Sequence, residues 1–311
     1  MNLIIDGMNI AFRCSFIYDA KQGLSDSEGN PTGTVFGFLR HILGLKSPNR
    51  WPHAKVWVAW EGMGSVTERR KVFSEYKANR EPKSEGSPIF QQIPTLMRAL
   101  TDMGVSQVWE DGLEADDMIA SLVRGVLKEE SNIIVSSDRD LLQLVGGKTV
   151  QMTPHPEKFY DAEAVEQQYG VPPERLLSYR ILDGDKSDNI PGMFRFPRKK
   201  IASLVNEYEN VESLYENPPK EGLTPFQEKT LLEFRDQAKL NSDIMALRTT
   251  TTYHHEIGEL NTDNLALLCD QLGLRTLREE LVRFSPKGFT KIGESDVSVL
   301  HSEHRSPSII W

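Results

Sequence analysis

Short apolar runs alternate with longer helical patterns through the first half of the chain. Leu3-Ile4-Ile5, Val56-Trp57-Val58-Ala59-Trp60 and Ile133-Ile134-Val135 are compact and rich in β-branched or aromatic residues, and residues 105–109 alternate apolar with polar positions. Each reads as a strand. Residues 33–45, 88–103 and 115–128 lie between them and carry helical spacing. Strands separated by helices predict an α/β fold with a mostly parallel central sheet flanked by helices.

The second half carries few β-rich runs. Residues 161–169, 173–182, 198–208, 211–216, 225–240 and 262–284 read as helices, punctuated at Pro172-Pro173, Pro191-Gly192 and Pro218-Pro219. The expected organisation is an α/β core over 1–180, a helical domain over 181–285 and a tail over 286–311. The tail has no helical period and ends in Ser308-Ile309-Ile310-Trp311. That apolar end packs on its own domain, is simply tolerated, or docks on a partner.

Composition narrows the classes. Of 311 residues, 39% are hydrophobic and 26% charged, as in globular proteins. No apolar run approaches the roughly 18 residues of a membrane span, and Asp6 interrupts the first apolar run too early for a signal peptide. Cys14 and Cys269 make no metal-type spacing and no disulfide framework, so a reducing, cytoplasmic setting is expected. Lys+Arg 36 against Asp+Glu 45 gives −9, which excludes a uniform basic coat for nucleic acid but leaves room for local patches.

The acids are not scattered at random. Asp6 follows the first run directly, Glu61 follows the second, and Asp138 and Asp140 sit just after the third. Ligands of open parallel sheets bind beyond the carboxyl ends of the strands. Glu114, Asp116 and Asp117 open the 115–128 helix, and Asp185 and Asp188 belong to Gly184-Asp185-Lys186-Ser187-Asp188. Taken singly, each also reads as a helix cap, a turn residue or a dipole partner. Together they point to one anionic site. Crowded carboxylates repel unless a cation neutralises them, and an oxygen-only donor set suits Mg²⁺ or Mn²⁺ rather than zinc. Two such ions serve phosphodiester displacement.

Two segments supply positive charge. Residues 64–87 carry Arg69, Arg70, Lys71, Lys77, Arg80 and Lys83 among four glutamates, with Phe73 and Tyr76 interleaved. That mixture suits single-stranded nucleic acid and equally an exposed, salt-bridged helix. Arg195, Arg198, Lys199 and Lys200 lie within 189–206, which contains no acid. A turn leading into a helix there favours phosphate contact without base reading.

Five motifs fall in a fixed order: Ile4-Ile5-Asp6-Gly7-Met8-Asn9; Tyr76-Lys77-Ala78-Asn79-Arg80; Gly112-Leu113-Glu114-Ala115-Asp116-Asp117; Ser136-Ser137-Asp138-Arg139-Asp140; and Gly184-Asp185-Lys186-Ser187-Asp188-Asn189-Ile190-Pro191-Gly192. In these the chain resembles the 5′-to-3′ exonuclease and flap endonuclease family, seen as stand-alone phage and bacterial enzymes and as the N-terminal nuclease domain of bacterial DNA polymerase I. The resemblance is dense over 3–192 and thins over 193–290. It implies a PIN-like nuclease core with a helical arch near 64–87, and a helix-hairpin-helix-like DNA-binding element in the helical domain.

The resemblance also implies two Mg²⁺ ions, with Mn²⁺ as a substitute. Residues matching Glu61, Glu114 and Asp116, with Asp6 close by, would hold the first. Those matching Asp138, Asp140 and Asp185 would hold the second, with Asp188 and Asp117 in support. Lys77 and Arg80 match arch cations that steer the scissile phosphate, and Tyr76 would lend a stacking surface. The substrate implied is DNA with a 5′ end or 5′ flap, RNA-primed or not, cut by a monomer in replication or repair, with the tail as a route to a replication partner. Glu61 stands where the family usually has Asp. Met193-Phe194-Arg195-Phe196-Pro197-Arg198 replaces a glycine-rich hairpin that often holds a monovalent cation such as K⁺, and Pro197 has no amide to offer. Arg195 and Arg198 are expected to supply charge instead. A PIN-like ribonuclease and a DNA-structure binder with a decayed metal site are the competing readings.

Overall fold

The structure, a computed structural model, describes residues 1–80 and 87–284. In chain order its elements are β1 (Asn2–Asp6), α1 (Gly7–Cys14), a π-helical turn (Ser15–Lys21), α2 (Gly33–Leu45), β2 (Lys55–Ala59), α3 (Ser65–Val72), α4 (Pro88–Asp102), β3 (Ser106–Trp109), α5 (Ala115–Arg124), β4 (Asn132–Val135) and a 3-10 helix (Asp140–Leu144). They continue with β5 (Thr149–Pro154), β6 (Glu157–Tyr160), α6 (Ala162–Tyr169), α7 (Pro173–Asp183), α8 (Arg198–Glu207), α9 (Val211–Glu216), α10 (Pro225–Glu233), α11 (Arg235–Met245), β7 (His254–Glu256), α12 (Thr262–Gln271) and α13 (Arg275–Phe284). The expected tail, and residues 81–86 of the expected arch, lie outside the described residues.

The described residues form two compact units, one of residues 1–63, 87–109 and 253–284 and one of 64–80 and 110–252. In the first, β1 pairs parallel with β2 and β2 parallel with β3, as the alternation of strands and helices requires. The short β7 adds antiparallel to β3. All five residues of β1 are buried, which is why it reads as a continuous apolar run. In the second unit β4 pairs parallel with β5, and β6 folds back antiparallel on β5. The α/β class with mostly parallel strands and a helical C-terminal part is the one expected.

The helices of the second unit share one core. Leu176, Tyr179, Ile181 and Leu182 of α7 are buried together with Val165 of α6, Ile201 and Leu204 of α8, Leu214 of α9 and Leu231 of α10. Leu142 of the 3-10 helix joins them, so the segment just after Asp138 is fixed by the helical core.

Several element boundaries differ from the sequence reading. The 115–128 helix stops at Arg124, before Gly125. The 225–240 helix is two, α10 and α11, broken at Phe234, and the 262–284 helix is two, separated by Gly273 at φ +68°. A left-handed residue ends a helix whatever the apolar spacing beyond it. Strands β5, β6 and β7 carried no readable pattern. Gln151 is buried within β5, and β6 and β7 are short and polar.

Candidate metal and nucleic-acid site

Asp6 closes β1 and caps α1, its Oδ1 accepting the Asn9 amide at 3.0 Å. Glycine follows for a steric reason. A Cβ on Gly7 would lie 2.5 Å from the Trp60 ring and 2.9 Å from the Ala59 carbonyl oxygen. The chain after β1 therefore passes hard against the end of β2, where Glu61 follows. Both belong to the first unit.

The remaining candidate side chains belong to the second unit. Glu114 precedes α5 and is buried. Its Oε2 accepts from the Tyr76 hydroxyl at 3.0 Å and its Oε1 from Lys77 Nζ at 2.6 Å, while Arg69 Nε stands 3.0 Å from Oε2. Burial pushes this carboxyl up, but the charges of Lys77 and Arg69 outweigh it and hold it below the ordinary carboxylate range. Asp117, three residues on, is wholly buried. It accepts from Arg69 Nη2 at 2.8 Å, from the Arg248 amide at 2.9 Å and from the Glu114 amide at 3.2 Å.

Residues 75–80 form the base of the expected arch and are stapled to the 185–190 turn. The Lys77 amide donates to the Asp188 carbonyl at 3.0 Å, the Asn79 side chain to the Lys186 carbonyl at 3.0 Å, and the Asn189 side chain to the Glu75 carbonyl at 2.9 Å. Lys77 and Asn189 both take left-handed backbone, at φ +53° and +62°. A lysine rarely adopts that conformation, and such strain persists only where surrounding contacts impose it. Arg80 pairs with Asp188 Oδ1, and Lys77 Nζ stands 4.0 Å from its Oδ2.

Asp138 and Asp140 follow β4. The Asp138 carboxylate accepts the Asp140 amide at 2.8 Å, and the Gln151 side chain donates to the Ser136 and Asp138 carbonyls at 3.0 and 2.6 Å. Buried Gln151 thus shapes the turn that presents both acids. Asp140 accepts from Arg180 Nε at 2.9 Å and Nη2 at 2.6 Å, and the same Nη2 reaches Asp185 at 2.5 Å. Burial and the neighbouring Asp138 charge push the Asp140 carboxyl up to about 7 despite Arg180. Asp185 sits on a turn that only glycines permit. Gly184 has φ +73°, and a Cβ on Gly192 would lie 2.0 Å from the Asp183 carbonyl oxygen.

Glu114, Asp116, Asp140 and Asp188 line one narrow cleft together with Arg69 and Tyr76. Its free volume is about 10 Å³, barely room for one water. Among the described residues no three acids stand at ion-holding spacing. The chain's own cations occupy the gaps between the acids instead. The donor chemistry, carboxylate oxygens in excess around a partly neutralised cleft, fits a hard divalent cation.

Four expectations change with this geometry. Arg69, expected on the substrate, is 3% exposed and spent on Glu114, Asp117 and the Ile244 carbonyl. Tyr76, expected as a stacking platform, is also 3% exposed and points its hydroxyl at Glu114. Asp117, expected to support an ion, holds Arg69 and two backbone amides. Arg70, expected on the substrate, donates to the Tyr76 and Lys77 carbonyls at 2.9 and 3.2 Å, so it braces the 75–80 segment. Arg180 was not singled out from the sequence. Its signal was a charged residue between apolar neighbours of an otherwise buried helix, four residues before the Gly184 turn.

Between α7 and α8 the chain makes a hairpin. Met193 and Phe196 are buried, whereas Phe194 and Arg195 face outward, the guanidinium 5.0 Å from the Phe194 ring centre. Arg195 takes φ +50°, where the family pattern would place a freer residue. Arg198, the first residue of α8, pairs with Asp183 at 2.9 Å, so its charge is partly used. Lys199 and Lys200 follow at the helix start.

The fold falls among known nuclease folds. The T5 D15 protein, crystallised with metal ions, superposes with a TM-score of 0.65 at 19% identity, over 91% of this chain and 99% of that one. The catalytic core of Rad2 in complex with DNA gives 0.60 at 18%, over 91% and 92%. Family models then match residues 1–266: the 5′-3′ exonuclease N-terminal resolvase-like domain over 1–170 and the 5′-3′ exonuclease C-terminal SAM fold over 171–266. The chain belongs to the 5′-3′ exonuclease family. The 5′-3′ exonuclease of Bacillus subtilis is 34% identical over 221 residues, 69% of this chain and 73% of that protein. DNA polymerase I of the same organism is 28% identical over 307 residues, 96% of this chain but 34% of the polymerase, so the chain spans about a third of that relative. No helix among the described residues is long and apolar enough to cross a membrane.

Proposed function

We propose that this chain is a divalent-metal-dependent, structure-specific 5′ nuclease. It hydrolyses phosphodiester bonds near single-strand/duplex junctions, as exonuclease and flap endonuclease, in primer or flap removal during replication or repair. It acts in the cytoplasm as a monomer. The observation that carries the reading is the cleft that collects Glu114, Asp116, Asp140 and Asp188, from three segments of the chain, beside Lys77.

Glu114 and Asp116 would hold a first Mg²⁺, and Asp138, Asp140 and Asp185 a second. Asp6 and Glu61 enter through the family resemblance alone. The ions would supply an activated water and charge neutralisation at the phosphate. Lys77 and Arg80 bring positive charge to the scissile phosphate, an electrostatic contribution that grows where water is excluded. Arg195, Lys199 and Lys200 hold duplex phosphates, with side-chain charge taking the part of a hairpin K⁺. Sequence is not read, because phosphate contacts position without specifying.

A labelled 5′-flap duplex incubated with Mg²⁺, with EDTA in parallel, tests this reading. Cleavage near the junction that EDTA abolishes is expected. Intact flap in both Mg²⁺ and Mn²⁺ overturns it.

A further inference from the structure

Arg180 lies on the buried face of α7, next to Tyr179, Ile181 and Leu182, and is 6% exposed. Its guanidinium joins two acids from separate segments: Asp140 through two N–H donors and Asp185 through one of the same two nitrogens. The other Asp185 oxygen is already engaged by the Ser187 amide at 2.7 Å and hydroxyl at 2.6 Å. That leaves Oδ2 aimed at the arginine. Asp138 raises the local negative charge further.

Three carboxylates gathered without a cation would drive the turn apart. A guanidinium is charged at every accessible pH, and its planar fork suits two acceptors at once. We infer that Arg180 is the resident counter-cation of the second ion position: it holds Asp140 and Asp185 together in the metal-free protein, and a divalent ion must displace it to bind. The inference rests on the two-ion reading above and adds a competitor to it.

The geometry distinguishes Arg180 from Lys77. The Lys77 side chain is 11% exposed, and it can leave Glu114 while Arg69 stays on that carboxylate. Arg180 is anchored by a helix whose neighbours are core residues, so only its side chain can yield. Arg180 is therefore a positioning residue that sets the affinity of the second ion and holds Asp140 and Asp185 in place without it.

The full chain and its Arg180→Gln and Arg180→Lys variants are titrated with MnCl₂ by calorimetry and melted in EDTA and in saturating Mn²⁺. For Arg180→Gln one of the two Mn²⁺ sites should tighten by about tenfold, the scale set by losing one charge-assisted competitor. Its melting temperature should fall in EDTA and largely recover in Mn²⁺. Arg180→Lys, which can serve one carboxylate at a time, should fall between wild type and Arg180→Gln. An equal melting loss with and without Mn²⁺, together with unchanged or weaker Mn²⁺ binding, shows a purely structural ion pair and overturns the inference. If Arg180→Gln does not fold, unchanged Mn²⁺ affinity in Arg180→Lys overturns it. A wild-type chain that binds no Mn²⁺ defeats the two-ion reading itself, and that result is visible without any variant.

Discussion

At Glu114 the countercharge comes from Arg69 and Lys77, in two layers. At Asp140 and Asp185 it comes from one arginine on a core helix. In the first cluster Arg69 forms the sealed inner layer and also serves Asp117, while Lys77 lies outside it with a side chain 11% exposed. In the second cluster Arg180 is both the structural partner and the group facing the acids. A layered cluster can release its outer cation to a substrate and keep its fold. A cluster with a single cation cannot separate those duties, so its fold and its ion affinity are coupled.

The largest effect should come from the acids of the second cluster. Asp138→Asn should cut flap cleavage by about 10³-fold and leave flap binding intact, read by single-turnover kinetics and gel shift. Unchanged turnover removes Asp138 from the ion-holding set. Next, Arg69→Ala leaves buried Asp117 without a cation and Glu114 with Lys77 alone, and should cost about 3–5 kcal/mol of stability in a urea melt. A cost below about 1 kcal/mol, the range of exposed pairs, would erase the inner layer. Lys77→Ala sharpens the contrast, because Arg69 still neutralises Glu114. Cleavage should fall about 10²-fold with the melting curve nearly unmoved, and a melting loss as large as that of Arg69→Ala would merge the two layers.

The smallest effect is in the pH profile of stability in EDTA, where the clusters run opposite ways. Glu114 is depressed in the folded chain, so its contribution is present above the unfolded value near 4 and is lost as pH falls. Asp140 is raised to about 7, so its contribution is present below the unfolded value and is lost as pH rises toward 7. Glu114→Gln should flatten the acid limb and Asp140→Asn the limb between about 4 and 7. A profile that neither variant changes would show that both carboxyls titrate normally.

Much of this was legible in the chain, and the failures have physical causes. The acids could be read because each ends an apolar run or opens a glycine turn, positions that backbone geometry fixes locally. The roles of Arg69 and Tyr76 could not. Their partners Glu114 and Asp117 lie 38 and 48 residues away, and a charge pattern alone cannot separate a cation facing solvent from one turned onto distant carboxylates. Arg180 was hidden because helical spacing over 173–182 treats it as one polar position among apolar ones. Strand β7 forms because β3 offers it an unpaired edge, which is a property of the partner strand rather than of His254-His255-Glu256.

A crystal soaked in Mn²⁺ and measured for anomalous scattering tests the central claim most directly. The account predicts two peaks, one beside Glu114 and Asp116 and one between Asp140 and Asp185, with the Arg180 guanidinium moved off both carboxylates. No peak at either position, with Arg180 still bridging Asp140 and Asp185, would contradict it.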